Sequence, residues 1–206
     1  MKSKKTPKQI LQELKDGNSR FVKGKSIQLS KSSIKKLKDF ADKKQFPKAI
    51  VLCCSDSRAP VEMIFDQDVG DLFVIRVAGN IVAPSLVGSV EFAASAFGTN
   101  TVLVMGHTLC GAIGATLDHI EDPQAIESEN IHDIVSRIRP HIFAISRLAD
   151  LSPEEKSKQA AIANVRASVD HLAHSSRIME GLIEKKKLKI SGALLDIKTG
   201  EVDFLK

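Results

Sequence analysis

The chain has 206 residues, 43% hydrophobic and 27% charged, which suits one ordinary domain with a sizeable buried core. No apolar run approaches the ~18 residues of a membrane span, and the basic Met1-Lys2-Ser3-Lys4-Lys5 leads into an amphipathic pattern rather than a secretory signal. Those features predict a cytoplasmic protein with no membrane partner. The net charge of +5 comes from lysines spread over the first 48 residues and a patch at Lys185, Lys186, Lys187 and Lys189. With no Trp or Tyr to stack bases and no zinc-finger spacing, they read as solvated faces, and no nucleic-acid partner is expected.

Residues 7–24 carry Ile10, Leu11, Leu14 and Phe21 near one side of a helix. A second, basic helix is predicted over 32–44. Residues 1–45 thus form a helical arm, and 46–206 an α/β body, the whole being a single domain. The first strand is Ala49-Ile50-Val51-Leu52-Cys53, followed by a Ser-rich loop and a short helix over 60–66 that Pro60 opens. Leu72–Val77 is a second strand, closed by Gly79-Asn80. Ser85 is placed to cap a helix running to Phe97 and ending at Gly98. Residues 101–106 form a third strand that delivers His107, and Cys110 sits in the first turn of a helix ending near Ile120. Two longer helices are predicted over 130–149 and 154–185. Residues 188–205 make two short strands about Lys198-Thr199-Gly200, both candidates for a sheet edge. Strands separated by helices predict an α/β fold with a mainly parallel β-sheet flanked by helices.

Two runs of metal-type residues leave strands in this scheme: Cys54-Ser55-Asp56-Ser57-Arg58 and His107-Thr108-Leu109-Cys110. Loops at the carboxyl ends of parallel strands share one edge of the sheet, where ligands bind. Two sulfurs and one imidazole nitrogen, with water or a carboxylate fourth, are a zinc set of the catalytic kind. Cys54, His107 and Cys110 are therefore the expected ligands of one Zn2+ per chain. Gly106 is read as letting the backbone approach the metal. Cys53 alternates with Cys54 along the strand and is assigned to the core. Asp56 lies close enough to coordinate the metal unless the Arg58 guanidinium holds it by paired hydrogen bonds. Free of the metal, it would accept a hydrogen bond from water in the fourth position. Two thiolates leave the centre formally neutral, so activity is expected to rise toward alkaline pH, with a catalytic pKa above the ~7 of a three-histidine site. His119, His132, His141, His171 and His174 are given no metal role, and neither a Walker loop nor Gly-x-Ser-x-Gly is present.

These runs resemble the two signature motifs of β-class carbonic anhydrases. The likeness extends to Asp16–Val22, Gly70–Asn80, Ser89-Val90-Glu91-Phe92 and Gly200-Glu201-Val202. It implies reversible hydration of carbon dioxide to bicarbonate and a proton, by attack of zinc-bound hydroxide, with Asp56 and Arg58 as a gatekeeping pair. In a closed state Asp56 would be the fourth ligand. The resemblance further implies substrate contacts from Gln45, Phe73, Phe92 and the backbone at Gly111. It implies a sheet of four parallel strands plus an antiparallel edge strand, and a homodimer or tetramer whose dimers exchange N-terminal arms and form pockets at the subunit interface. Phe92 stands where Tyr is frequent in the family. The absence of Trp and Tyr argues against the bicarbonate-inhibited subtype's pocket and for an open site.

Two other readings remain on the residues alone. One keeps the zinc chemistry and changes the substrate to carbon disulfide or carbonyl sulfide. The other is a structural zinc module whose basic arm binds nucleic acid.

Overall fold

The computed structural model describes residues 5–26, 37–38, 40–41 and 45–206. Helix α1, Pro7–Val22, starts where predicted: Thr6 and Gln9 form a reciprocal capping box, and Pro7 opens the first turn. Most of the basic helix predicted over 32–44 lies outside the described residues, although Leu37, Lys38, Phe40 and Ala41 are helical.

The body contains strands β1 (Ala49–Cys53), β2 (Leu72–Arg76), β3 (Thr101–His107), β4 (Lys189–Leu195) and β5 (Val202–Phe204). Their order is β2-β1-β3-β4-β5, with β1–β2, β1–β3 and β3–β4 parallel and β4–β5 antiparallel. This is the expected mainly parallel sheet with an antiparallel edge strand. Of the two terminal strands only β5 is an edge; β4 lies inside, between β3 and β5. Every residue of β1 and β3 is buried, as an apolar run covered on both faces requires. The pleat divides the core. Val51 and Cys53 pack with Ile10, Leu14 and Phe65 on one face, while Ile50 and Leu52 pack with Val90 and Val165 on the other.

The helices of the body are α2 (Val61–Ile64), α3 (Pro84–Ala96), α4 (Gly111–Glu121), α5 (Glu129–Ser146), α6 (Pro153–Ala173) and α7 (Arg177–Glu184), and a 3-10 turn, Ala78–Asn80, follows β2. Three details differ from the sequence reading. Ser85 does not cap α3; Ala83 holds that position without a side-chain bond, and Pro84 starts the helix. The helix expected over 154–185 is two helices. His174 ends α6, and Ser176 begins α7 by accepting from the Met179 N–H while its hydroxyl donates to Glu91. Gly106 answers to helix packing rather than to the metal. A Cβ there would lie 2.6 Å from a Val165 methyl, and one on Gly192 would lie 2.9 Å from the other, so α6 seats Val165 between β3 and β4.

The two ends of the chain are joined by Asn18. Its amide donates to the carbonyls of Ile64 (3.2 Å) and Gly200 (2.8 Å) and accepts from the Val202 N–H (2.9 Å). Arg20 pairs with the buried Asp66 carboxylate alongside. Replacing Asn18 strands buried backbone groups, so Asn18→Ala is expected to lower unfolding free energy by about 2–4 kcal/mol, read from urea denaturation. A loss below about 0.5 kcal/mol would show that water replaces the amide.

Candidate metal centre

In the order β2-β1-β3, the chain leaves β1 outward to β2 and returns on the other side as β3, so β1 and β3 flank a topological switch point. The crevice at the carboxyl ends of such strands is where an open α/β sheet binds ligands. Cys54 follows the last residue of β1, and His107 is the last residue of β3.

Cys54, His107 and Cys110 are all buried, and their ligand atoms lie within 4.8 Å of one another. Tetrahedral zinc with bonds of ~2.3 Å to sulfur requires sulfurs roughly 3.8 Å apart, a separation that falls inside this limit. Thr108 fixes the imidazole. Its carbonyl lies 2.8 Å from His107 Nδ1, which therefore carries the proton and leaves a lone pair on Nε2. Nε2 is buried and has no hydrogen-bond partner. A buried acceptor orphaned between two thiols is what a metal would satisfy. Thr108 is itself anchored to the end of the sheet, by its N–H to Leu195 O (2.9 Å) and by accepting the Ile197 N–H at Oγ1 (3.0 Å).

The thiols divide one proton unequally. Cys110, which donates to Cys54, lowers the Cys54 thiol to about 4 against the opposing effect of burial, and His107 and the N–H groups of Asp56 and Gly79 add to the fall. Cys110 is raised correspondingly, by Cys54 first and burial second. The pair thus favours losing one proton from Cys54, and a bound dication would displace the protons that remain. Burial alone would lower His107, but the Cys54 sulfur, the Thr108 carbonyl and Asp56 leave it raised.

The Asp56 carboxylate is held from one side. Arg58 donates to it through its backbone N–H (2.9 Å), Nε (2.9 Å) and Nη2 (2.7 Å), and Nη2 also reaches Leu109 O at 3.1 Å. Leu109 takes a left-handed conformation, φ 57°, in the turn between His107 and Cys110. The Arg58 fork holds the Asp56 carboxyl well below the usual carboxylate range. Asp56 Oδ2, which accepts only the Nη2 bond while Oδ1 takes the other two, faces inward, 3.8 Å from His107 Nε2. Arg76 was not singled out from the sequence, yet it steadies the same loop by donating to Cys54 O (3.0 Å) and Asp56 O. Its only sequence signal is a charge at the end of an apolar strand.

Other predicted residues fall into two groups. Gly111, exposed at the start of α4, adjoins Cys110, which is the helix N-cap rather than a first-turn residue. Gln45, Phe73 and Phe92 are not brought to the crevice within one chain. Gln45 is exposed before the opposite end of β1. Phe73, in register with Ile50, packs against Phe92 and Phe97 at centroid distances of 6.5 and 6.1 Å. Phe92 is 56% exposed beside the β2 edge. Cys53 is fully buried, and burial pushes its thiol up to about 12. His119 and His132 stack edge to face, and among the described residues Cys54, His107 and Cys110 form the one metal-capable cluster.

A family model described as carbonic anhydrase matches residues 49–202. The chain belongs to the β-class carbonic anhydrases. Its reaction is the hydration of carbon dioxide. The carbonic anhydrase of Mycolicibacterium smegmatis is 34% identical over 191 residues, covering 93% of this chain and 89% of that protein. The structure of the β-carbonic anhydrase CcaA superposes with a TM-score of 0.74 at 26% identity, covering 95% of this chain and 91% of that one. Two tetrameric β-carbonic anhydrases from Sordaria macrospora give a TM-score of 0.71 at 23% identity, over 84% and 86% of the chains.

The contrast between neighbouring cysteines is testable. In native, metal-free protein at pH 7, iodoacetamide is expected to leave Cys53 unmodified while labelling Cys54, as read by peptide mass mapping. Labelling of Cys53 at a comparable rate would contradict its placement and its raised pKa.

Proposed function

We propose that Cys54, His107 and Cys110 hold one Zn2+ per chain and that Asp56 and Arg58 control its open position. The orphaned His107 Nε2 between two thiols is the observation that carries this reading. Bound there, zinc supplies the Lewis acidity that makes water a nucleophile near neutral pH.

The chain's own residues account for the rest of the site. Three Arg58 donors occupy the Asp56 carboxylate on one side, which keeps it off the metal and leaves its inner oxygen as an acceptor for the reacting water. That oxygen orients the water and takes its hydrogen bond while the carbon is attacked. The Gly111 N–H, at the exposed start of α4, lies beside the Cys110 ligand, where a helix N-terminus favours the negative charge developing on the substrate oxygens. Withdrawing Asp56 onto the metal, a closed state, would require breaking the Arg58 fork.

Gln45, Phe73 and Phe92 are assigned to substrate contact across a subunit interface. The exposure of Gln45 and of Phe92 at 56%, with Phe46 at 71%, fits a surface completed by a second copy, and the half-buried Phe73 packs behind Phe92. A homodimer or tetramer is the working assembly, and the tetrameric Sordaria macrospora enzymes support it. Buried aromatic walls would then exclude bulk water and suit a small uncharged substrate. Three unpaired, buried cysteines suit a reducing compartment, so a cytoplasmic site of action is proposed.

Stopped-flow carbon dioxide hydration with zinc determination tests the assignment. Asp56→Ala is expected to retain one zinc per chain and lose on the order of 100-fold in kcat. Near-wild-type rates at full zinc occupancy would falsify the gatekeeper role. The same assay across pH reads the charge balance. Asp56 has a lowered pKa, so it is ionised above the ordinary carboxylate range, and the stability its pair with Arg58 lends is lost only as pH falls through that lowered value. No activity limb between pH 5 and 9 therefore belongs to Asp56. The two thiolates place the single limb above pH ~7, rising toward alkaline pH. A profile flat from pH 6 upward contradicts this.

A further inference from the structure

The turn Ala78–Asn80 is held at both faces of its central residue. The Gly79 N–H donates to Cys54 Sγ at 3.4 Å, and the Gly79 carbonyl accepts from Asn164 Nδ2 at 2.8 Å. One helical turn along α6, Ser168 Oγ donates to Asn80 O at 3.1 Å. Asn164 and Ser168 are both buried, so these bonds face no competition from bulk water.

Gly79 has φ 68°, and a Cβ there would lie 2.7 Å from Ile138 Cδ1 and 3.1 Å from Ala112 Cβ. Only glycine fits, and glycine is also the residue whose peptide planes rotate most freely. An N–H on such a residue stays aimed at a sulfur only if the backbone on either side of its Cα is restrained. Asn164 holds the following peptide plane by its carbonyl, a plane whose Asn80 N–H also donates to Val77 O at 3.1 Å, and so restrains the Gly79 Cα from which the N–H is directed. The amide is spent on a backbone carbonyl inside the fold rather than on another side chain.

We propose that Asn164 is a positioning residue for the metal centre, fixing Gly79 so that its N–H points at the Cys54 sulfur and limits the charge this sulfur gives the metal. The inference rests on the zinc assignment above. An N–H donated to a ligating sulfur draws electron density away from the metal bond and leaves the metal more electrophilic. In a centre whose two sulfurs already neutralise the dication, this is a direct way for the chain to restore Lewis acidity.

The test uses full-length protein reconstituted with cobalt(II) for spectroscopy and zinc for kinetics. Asn164→Leu keeps approximate shape and removes the donor. Its sulfur-to-cobalt charge-transfer band is expected to move to longer wavelength, because a sulfur without its hydrogen bond gives up an electron more readily. In the zinc form, kcat for carbon dioxide hydration should fall about tenfold with KM unchanged and one metal per chain. Ser168→Ala removes a bond of the same kind from the adjacent carbonyl and serves as the comparator. Its band should stay in place even where its melting temperature falls as far.

An unshifted band in Asn164→Leu at full metal content overturns the proposal, and so does an equal shift in Ser168→Ala, which would mean general loosening of the turn. Should Asn164→Leu fail to fold, Asn164→Ala removes the donor with less bulk and is read by the same band. A wild-type chain that takes up cobalt with no sulfur charge-transfer band overturns the zinc assignment itself, and this inference with it.

Discussion

The whole site depends on β1 and β3 being neighbours while the chain between them detours through β2. That crossing leaves two strand ends side by side, so that their two loops meet. Cys54 leaves one end and His107 closes the other, and Arg58 Nη2 ties the loops together at Leu109 O. The packing behind them is rigid because α6 lies close on β3 and β4, with Val165 filling the space left by two glycines. A ligand set spread over 57 positions of sequence, from Cys54 to Cys110, is thereby assembled from backbone that would be buried in any case.

Charge is managed in layers around that crevice. Two sulfurs and a carboxylate within a few ångströms would repel one another and invite protons. Arg58 neutralises Asp56 and fixes which edge faces the sulfurs, while Arg76 spends its guanidinium on the carbonyls of the same loop. Thr108 decides which imidazole nitrogen is free. Each of these groups acts by geometry as much as by charge, since a lysine at position 58 could not present two parallel donors to one carboxylate.

Much of this was legible in the sequence because strand ends are easy to locate when the strands are unbroken apolar runs. Ala49–Cys53 and Thr101–Gly106 announce themselves in that way, and the metal-type residues stand immediately beyond. Signals that depend on contacts between distant segments were not legible. Gly106 beside His107 suggested metal approach, but its small size serves Val165, some sixty residues later. Ser176 looked like one more polar residue in a long helix, and only its bonds to Met179 and Glu91 make it a helix start. Gln45, Phe73 and Phe92 could be named through family resemblance alone, because within one chain nothing in their position or packing links them to the crevice.

Asn18 gives the molecule a late closing step. The amide that seats the first helix finds two of its three partners at residues 200 and 202, separations of 182 and 184 positions. A ribosome makes this helix long before its fastening. Until β5 has cleared the exit tunnel, the apolar stripe of Ile10 and Leu14 lacks that anchor. The nascent chain must therefore carry that sticky surface while everything between is being made.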